Sequence, residues 1–366
     1  MNRQLLSALL LVSATVLAGC GAIGGAPSPS APTGASTTPT DTTTTTPTEI
    51  PSPTPEDGVT VYGDLPVNAT LVWERLETML GSEYDAPTVS VIDAGLAEIG
   101  PFARALGMSE GKEGFYSDAV GGRYRHKYDR IGILLQNGSR EEITRVLVHE
   151  YAHAIQHRTG FMDRAREHGG ARVNRASTEG SAVYIEDAYT RTYLGFSAIE
   201  RRCSEYRERS AYVRYLERKY CFGGQYFRAQ FDSPTAMLAS NATFPNTTEQ
   251  LLHPGSTDQP ATLTVVDETP TGWYTPVSFT RRGELFVRTV LGTELPEERA
   301  AEAAAGWGND RVIRVTGDTE GYVWVLRWDT EPDAAEFETA FADYLDARGN
   351  RRSEERRVGK ECTLRC

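Results

Sequence analysis

Apolar and polar residues follow two different repeats along this chain. Helical spacing of the apolar residues predicts helices at 69–80, 177–194, 205–220, 284–291, 297–305 and 333–345. Short apolar or alternating runs predict strands at 88–92, 131–136, 261–266, 311–315 and 322–328, with a Gly-rich hairpin at 115–128. Together these elements indicate the α+β class, with mostly antiparallel strand pairing.

One further helix has the clearest start signal in the sequence. Ser139 is followed three residues later by Glu142, which is the spacing of a capping box, and apolar positions then continue through Ile155. Gly160 is expected to end this helix. The pattern therefore predicts a capped helix that follows the strand at 131–136 directly.

The N-terminal segment is typical of an exported protein. Arg3 precedes an apolar run from Leu5 to Leu17, which is too short to span a bilayer and indicates a signal peptide at 1–19. The run ends in Leu-Ala-Gly-Cys and resembles the lipobox of prokaryotic lipoproteins, which implies that Cys20 is lipid-modified. An ordinary secretory signal is the alternative. We expect an extracytoplasmic protein held on the outer face of the cell membrane by a lipid anchor.

Residues 20–56 contain mostly Pro, Thr and Ser, a composition that cannot bury apolar surface and predicts an extended stalk. Sequons at Asn68, Asn137, Asn241 and Asn246 are compatible with a glycoprotein. At the other end, the segment RSEERRVGKEC resembles the translation of a common sequencing adapter. We therefore interpret residues 352–366 as non-native.

The charge balance limits the partners. Asp and Glu number 50 against 38 Lys and Arg, which gives a net charge of −12 and argues against nucleic acid or an anionic membrane surface as the main partner. Only 4 of the basic residues are Lys and 34 are Arg. This bias suggests a salt-adapted host with a GC-rich genome, such as a haloarchaeon.

The five cysteines divide by position. Cys20 is the predicted anchor, and Cys362 and Cys366 lie in the predicted non-native tail. Cys203 and Cys221 are then the thiols of the folded part, and they are candidates for a disulfide bond in an oxidising compartment. The alternative is that both are unpaired buried thiols.

The capped helix carries the pattern HExxH, formed by His149, Glu150 and His153. Two imidazoles four residues apart project from one face of a helix, at the right separation to bind a single zinc ion. Glu150 lies beside them, where it would act as general base toward water. The longer metzincin pattern is excluded, since Gln156 and Thr159 stand where that pattern needs Gly and His.

A third zinc ligand is suggested by a resemblance. The segment TEGSAVYIE, residues 178–186, is similar to the NEGxAxYxE segment of the gluzincins, the thermolysin-like and aminopeptidase-like zinc peptidases. The resemblance implies that Glu179 binds zinc near the start of a second helix, with Gly180 allowing close approach to the HExxH helix. Glu186 is the alternative ligand. The 25 residues between His153 and Glu179 require an insertion relative to the best-known members.

The same resemblance gives two candidates for stabilising the oxyanion of peptide hydrolysis. Tyr220, in the segment YCFG, resembles the YxxG tyrosine of the aminopeptidase branch, and His253, in TEQLLHP, would serve like the downstream histidine of thermolysin-like enzymes. The segments TEQLLHP and GWGNDR also resemble uncharacterised haloarchaeal surface proteins of this class. The strand at 131–136 is a candidate for the edge strand on which zincins hold substrate, or else an ordinary core strand.

These inferences define the expected architecture. A zincin-like catalytic domain at 57–254, with a mixed sheet, an edge strand, the HExxH helix and a second ligand helix, precedes a small α+β subdomain at 255–351. The expected function is zinc-dependent hydrolysis of peptide or protein substrates at the cell surface. The alternatives are a catalytically inactive zincin-fold binding or envelope lipoprotein and a solute-binding lipoprotein, although the latter has no use for HExxH.

Overall fold

A computed structural model describes residues 8–12, 58–93, 99–112, 120–239, 244–265, 279–317 and 320–358. The predicted lipidation site Cys20, the whole of the predicted stalk, and the tail cysteines Cys362 and Cys366 lie outside these residues. The elements, in chain order, are β1 (Ala8–Val12), β2 (Val61–Tyr62), α1 (Ala69–Leu80), β3 (Thr88–Val91), α2 (Pro101–Ala105), β4 (Gly121–Arg125), β5 (Arg130–Leu134), α3 (Arg140–Arg158), α4 (Phe161–Arg166), α5 (Ala171–Tyr193), α6 (Ala198–Glu208), α7 (Ala211–Gln230), α8 (Pro234–Leu238), α9 (Thr248–Leu252), β6 (Phe279–Thr280), α10 (Glu284–Leu291), α11 (Glu297–Glu302), β7 (Trp307–Thr316), β8 (Glu320–Trp328) and α12 (Glu331–Val358).

The fold is α+β, as the sequence predicts, with two separate four-stranded sheets among the described residues. The first sheet has the order β2-β3-β5-β4. Its β2–β3 and β3–β5 pairs are parallel and only β4–β5 is antiparallel, so the expectation of mostly antiparallel pairing is wrong for this sheet. It is correct for the second sheet, β1-β8-β7-β6, in which every pair is antiparallel.

The strand order corrects the predicted edge strand. The segment predicted at 131–136 forms β5, which is bonded on one side to β3 and on the other to β4. Ile131 and Ile133 are therefore fully buried. The edge strands of this sheet are β2 and β4, and the sequence showed β4 only as part of a Gly-rich hairpin.

Helix α3 begins as predicted. The Ser139 hydroxyl accepts from the backbone N–H of Glu142, and the Glu142 carboxylate accepts from the backbone N–H of Ser139, which completes the capping box. Behind this start, α3 packs on β4, β5 and α5, and α5 in turn packs along α7. The three long helices α3, α5 and α7 form the helical layer of the N-terminal part.

Several predicted boundaries are wrong. Helix α5 begins at Ala171, six residues before the predicted start at 177, and the stretch predicted at 205–220 belongs to two helices, α6 and α7. Residues 261–265 form no strand, although the Ala261 N–H donates to the carbonyl of Gly308. Helix α12 continues to Val358 rather than ending near 349, because no helix-breaking residue other than Gly349 interrupts it.

Two apolar cores hold the described chain together. One lies between the first sheet and the long helices, with Leu76, Leu147, Ile155 and Val183 among its fully buried members. The other lies under the second sheet and includes Trp307 and Trp324. Helices α2 and α7 contribute Phe102 and Tyr212 to the second core, so it extends outside the predicted subdomain at 255–351. In the part of the chain that is described, no helix is both long and apolar enough to cross a membrane.

Candidate metal centre

Helices α3 and α5 bring three potential metal ligands together. His149 and His153 lie one turn apart on α3, and Glu179 faces them from α5. Glu179 Oε2 is 3.3 Å from His149 Nε2 and 3.4 Å from His153 Nε2. One ligand atom of each residue lies within 4.8 Å of those of the other two. The residue that the resemblance assigns as third ligand is therefore in place, in the third turn of α5 rather than near its start.

The other nitrogen of each imidazole is held by a supporting side chain. His149 Nδ1 lies 2.9 Å from Glu186 Oε2, and His153 Nδ1 lies 2.9 Å from Gln156 Oε1. With an N–H at each Nδ1 donating to these oxygens, both Nε2 atoms face Glu179. Glu186, the alternative ligand, thus supports His149 from behind.

Gln156 has a role that the sequence did not indicate. Its amide nitrogen donates to the carbonyl of Thr178 and to the hydroxyl of Ser181, which leaves the amide oxygen for His153. Gln156 is fully buried, so these three bonds fix its orientation. Gln156, which stands where the metzincin pattern needs Gly, therefore orients His153 in this protein.

Glu186 carries a buried negative charge that is balanced on two sides. Arg145 Nη1 lies 2.9 Å and Arg202 Nη2 3.6 Å from its oxygens, and its side chain is fully buried. Burial by itself would raise the pKa of Glu186, but Arg202, Arg145 and His149 hold it well below its usual range. Burial also disfavours a charged His149, yet the hydrogen bonds to Glu179 and Glu186 raise the pKa of His149 to about 9.

Glu150 lies against the edge strand β4. A side-chain carbon at Gly122 would come 2.5 Å from Cγ of Glu150, so only glycine permits this approach. Burial raises the pKa of Glu150, and the neighbouring imidazoles and the backbone N–H of Tyr124 only partly offset this effect. Strand β4, which Glu150 contacts, is an edge strand of the sheet among the described residues.

Gly180 permits close packing, although against a different helix from the one expected. A side-chain carbon at Gly180 would come 2.3 Å from Cα of Gly223, so the close approach joins α5 to α7 rather than to the HExxH helix. The contact places the residues near Gly223 beside the ligands. Glu179 and Tyr220 are brought to the same site in this way.

Tyr220 contacts the metal-ligand cluster directly. Its ring packs edge-on against His149, with the ring centroids 5.5 Å apart. Burial and the nearby Glu179 carboxylate raise the pKa of the Tyr220 hydroxyl well above its usual range, which keeps it a proton donor. Of the two oxyanion candidates, this one lies at the site.

His253 has a different partner. Its Nε2 lies 3.0 Å from Oε1 of Glu284, and this imidazole is about half exposed. The hydrogen bond to Glu284 is the main reason that the pKa of His253 is raised. Among the described contacts, none joins His253 to the metal-ligand cluster.

Lys219 is a site residue that sequence reasoning missed. Its Nζ lies 2.7 Å from Oε1 of Glu179, on the opposite side of the carboxylate from the histidines. The ion pair and the neighbouring imidazoles keep the pKa of Glu179 well below its usual range, against the effect of burial. The sequence feature that could have drawn attention to Lys219 is the scarcity of lysine, since the chain has only 4.

Cys203 of α6 and Cys221 of α7 are joined by a disulfide bond, with their Cα atoms 4.7 Å apart. The bond restrains the segment of α7 that carries Lys219 and Tyr220. A second group of potential metal ligands, which the sequence did not suggest, comprises Glu249, Asp258 and Asp329.

The chemistry of the donor set fits zinc. Two imidazole nitrogens and one carboxylate oxygen are the ligands of a catalytic zinc site, and three protein ligands leave a fourth position for water or substrate. The histidines are supported at Nδ1 by a carboxylate and an amide, as is usual for metal-binding histidines. The three residues lie on α3 and α5, and the close contact of Gly180 with Gly223 packs α5 against α7 beside them.

Comparison with known proteins finds similarity to a family model in the C-terminal part of the chain. Residues 275–363 match a domain of unknown function, DUF8575. The matched segment includes β6 to β8 and α10 to α12, and it ends within the predicted non-native tail. No match was found among curated proteins or among solved structures.

Proposed function

We propose that this protein is a zinc-dependent peptidase of the gluzincin type. The observation that carries the proposal is the convergence of His149, His153 and Glu179, with Glu150 beside them and both histidines oriented from behind. His149, His153 and Glu179 would hold the zinc ion. When bound, zinc would act as a Lewis acid toward a substrate carbonyl and lower the pKa of water.

Glu150 would act as general base. Its carboxylate is buried and its pKa is raised, so it is suited to accept a proton from water and pass it to the leaving amine. Gly122 of β4 allows the Glu150 side chain to lie directly against this strand. A peptide laid along this edge would present its carbonyl next to Glu150.

Tyr220 would donate a hydrogen bond to the oxyanion of the tetrahedral intermediate. Its raised pKa keeps the phenol protonated at neutral pH, and its ring is fixed by His149 and by the Lys219 ammonium, 3.9 Å from the ring centroid. The free edge of β4 would bind the extended backbone of the substrate by strand addition. The sheet thus supplies substrate binding, and the helices supply the chemistry.

The test is a cleavage assay on a peptide library with the full chain, with and without chelator, together with zinc analysis. We expect Glu150→Gln to retain zinc and to lose activity by about a thousandfold or more, because the other described carboxylates of the site, Glu179 and Glu186, would hold the metal and His149. Glu141→Gln removes the same charge from an exposed position on α3 and should leave activity unchanged. Zinc binding without cleavage of any peptide would favour an inactive zincin-fold binding protein instead.

We further propose that the enzyme works at the outer face of the cell membrane, anchored through Cys20. The support is the lipobox-like end of the apolar run and the Pro/Thr/Ser-rich segment that follows it. Membrane fractionation of cells expressing the chain, compared with Cys20→Ser, tests this. Release of the variant into the medium is expected, whereas equal distribution of both forms would contradict the anchor.

A further inference from the structure

Three arginines from three elements meet beside the candidate metal centre. Arg172 lies on α5, Arg218 on α7, and Arg282 just before α10. The Arg172 guanidinium donates to the carbonyl of Arg281 at 2.8 Å, which ties α5 to the segment that carries Arg282. All three side chains are partly buried. We call them the arginine cluster.

Aromatic rings form the floor of the arginine cluster. Arg218 stacks over Tyr215 at 3.8 Å from the ring centroid, and Arg282 lies 5.4 Å from the centroid of Phe286. Tyr215 and Phe286 contact each other, with centroids 6.4 Å apart. Rings hold the guanidinium planes in fixed positions without using their N–H donors.

In the part of the chain that the structure describes, no carboxylate is paired with the arginine cluster. Among the described residues, none of the three arginines forms an ion pair, although the chain has 50 acidic residues against 38 basic ones. Asp310, a neighbouring carboxylate, accepts from the backbone N–H groups of Arg282 and Gly283 and from the Trp324 indole. Its oxygens are therefore already in use.

Arg282 is the arginine most affected by burial and by repulsion from the other cations. Its Nε is buried and has no hydrogen-bond partner within the described part of the chain. Burial, followed by repulsion from Arg172, lowers the pKa of Arg282 to about 10. An orphaned buried donor among uncompensated cations is stabilised by an anion that accepts from several guanidinium groups.

The arginine cluster adjoins the catalytic residues proposed above. Arg172 precedes Glu179 by seven residues on α5, which places the two on one face about 10 Å apart along the helix axis. Arg218 directly precedes Lys219, the residue bonded to Glu179. A separation of this size corresponds to about three residues of an extended peptide.

We propose that Arg172, Arg218 and Arg282 form a subsite for a carboxylate of the peptide substrate. This inference rests on the proposed peptidase function and adds the substrate class: peptides that carry a carboxylate a few residues from the scissile bond. The carboxylate belongs either to an Asp or Glu side chain or to the C-terminus of the peptide. Planar guanidinium groups recognise both in the same bidentate manner.

The experiment uses matched peptides of one cleavable sequence. The first peptide carries Glu about three residues from the scissile bond and has an amidated C-terminus. The second is identical except that Gln replaces this Glu. The third ends at this Gln and has a free C-terminal carboxylate. We expect kcat/KM for the preferred acidic peptide to exceed that of the amidated Gln peptide by about tenfold or more. This ratio corresponds to the free energy of a hydrogen bond to a charged group. Whichever acidic peptide is preferred identifies the source of the carboxylate.

Variants connect the preference to the arginine cluster. Arg218→Gln should lower the ratio between acidic and neutral peptides about tenfold, whereas Arg218→Lys should retain part of it. Arg228→Gln, which removes a charge from a partly exposed position ten residues further along the same helix, should leave the ratio unchanged. Equal ratios in the wild type and Arg218→Gln would overturn the subsite while leaving the peptidase proposal intact.

A binding measurement separates the subsite from the chemistry. Fluorescently labelled acidic and neutral peptides are titrated into Glu150→Gln, in the lowest salt at which circular dichroism shows the folded chain. Tighter binding of the acidic peptide that is lost in Glu150→Gln/Arg218→Gln supports the subsite even if no peptide is cleaved. Indistinguishable binding of the two peptides would overturn it.

Discussion

Glu186 lies 2.9 Å from Nδ1 of His149 and is fully buried, seven residues beyond the ligand Glu179 on the same helix. One helix thus supplies both a candidate metal ligand and the group that orients another ligand. Because Arg145 and Arg202 compensate its charge, Glu186 remains ionised and accepts a hydrogen bond from the Nδ1–H of His149. The relationship directs Nε2 of His149 toward the metal position.

Replacing Glu186 by Gln should weaken zinc binding about 10- to 100-fold, because the amide is a poorer acceptor and no longer favours the required tautomer. The measurement is competition with a chromophoric chelator. The same variant leaves the Arg145 charge without its carboxylate and should lower the free energy of unfolding by about 3 kcal/mol.

Glu200→Gln is the matched control for this prediction, since the Glu200 side chain is 70% exposed and lies away from the histidines. It should bind zinc with wild-type affinity. A folded Glu186→Gln chain with unchanged zinc affinity would show that His149 does not need the carboxylate.

The contact between Gly180 and Gly223 leaves no room for a methyl group. Gly180→Ala would place Cβ 2.3 Å from Cα of Gly223, so α5 and α7 must separate. We expect a loss of about 2–3 kcal/mol in the free energy of unfolding, measured by denaturant titration. Zinc affinity should also fall, because Glu179 moves with α5.

Gly349→Ala makes the same substitution in a helix where no atom lies within 4 Å of the added carbon. There the higher helix propensity of Ala should raise stability by up to about 1 kcal/mol. Equal effects of the two substitutions would argue against close packing at Gly180.

The Cys203–Cys221 bond joins α6 to α7 across a sequence separation of 18 residues. Replacing both cysteines by Ala should cost about 3 kcal/mol of stability through the loss of the covalent constraint on the unfolded chain. Unfolding of the oxidised wild type, the reduced wild type and the double variant is the comparison. Mass spectrometry of the native protein should find neither thiol free, and two free thiols would contradict the bond.

Glu249 gives a pH dependence with a definite sign. Burial, followed by the nearby Glu284 carboxylate, raises the pKa of Glu249 to about 7. A pKa above the unfolded value means that its contribution to stability is complete below about pH 4.5 and is lost as the pH rises through 7. Glu249→Gln should therefore melt at a higher temperature than the wild type at pH 8, and the two should converge near pH 5.

Glu298→Gln removes one negative charge from an exposed position on α11 and serves as the control for general charge effects. Its melting temperature should follow that of the wild type at both pH values. A difference between Glu249→Gln and the wild type that stays constant with pH would rule out this titration.

Hydrophobic periodicity and capping residues predicted the helices, because both act between residues close in sequence. The helices at 69–80 and 284–291 have the predicted bounds, and the capping box forms at Ser139, because periodicity and capping act within a few residues. Strand order has no such local signal. The apolar pattern at 131–136 is the same for an edge strand and for an interior strand. Its pairing with β3 and β4 shows that it is an interior strand.

The sequence by itself determined that His149, Glu150 and His153 share one helix with metal-ligand spacing, since helix geometry sets the distance between residues four apart. The third ligand required a resemblance, because Glu179 is distant in the chain. Tertiary structure alone decided that Glu186 and Gln156 orient the histidines, that Lys219 binds Glu179, and that β4 forms an edge. These relationships depend on how α3, α5, α7 and the sheet pack together, and packing joins residues that no periodicity relates.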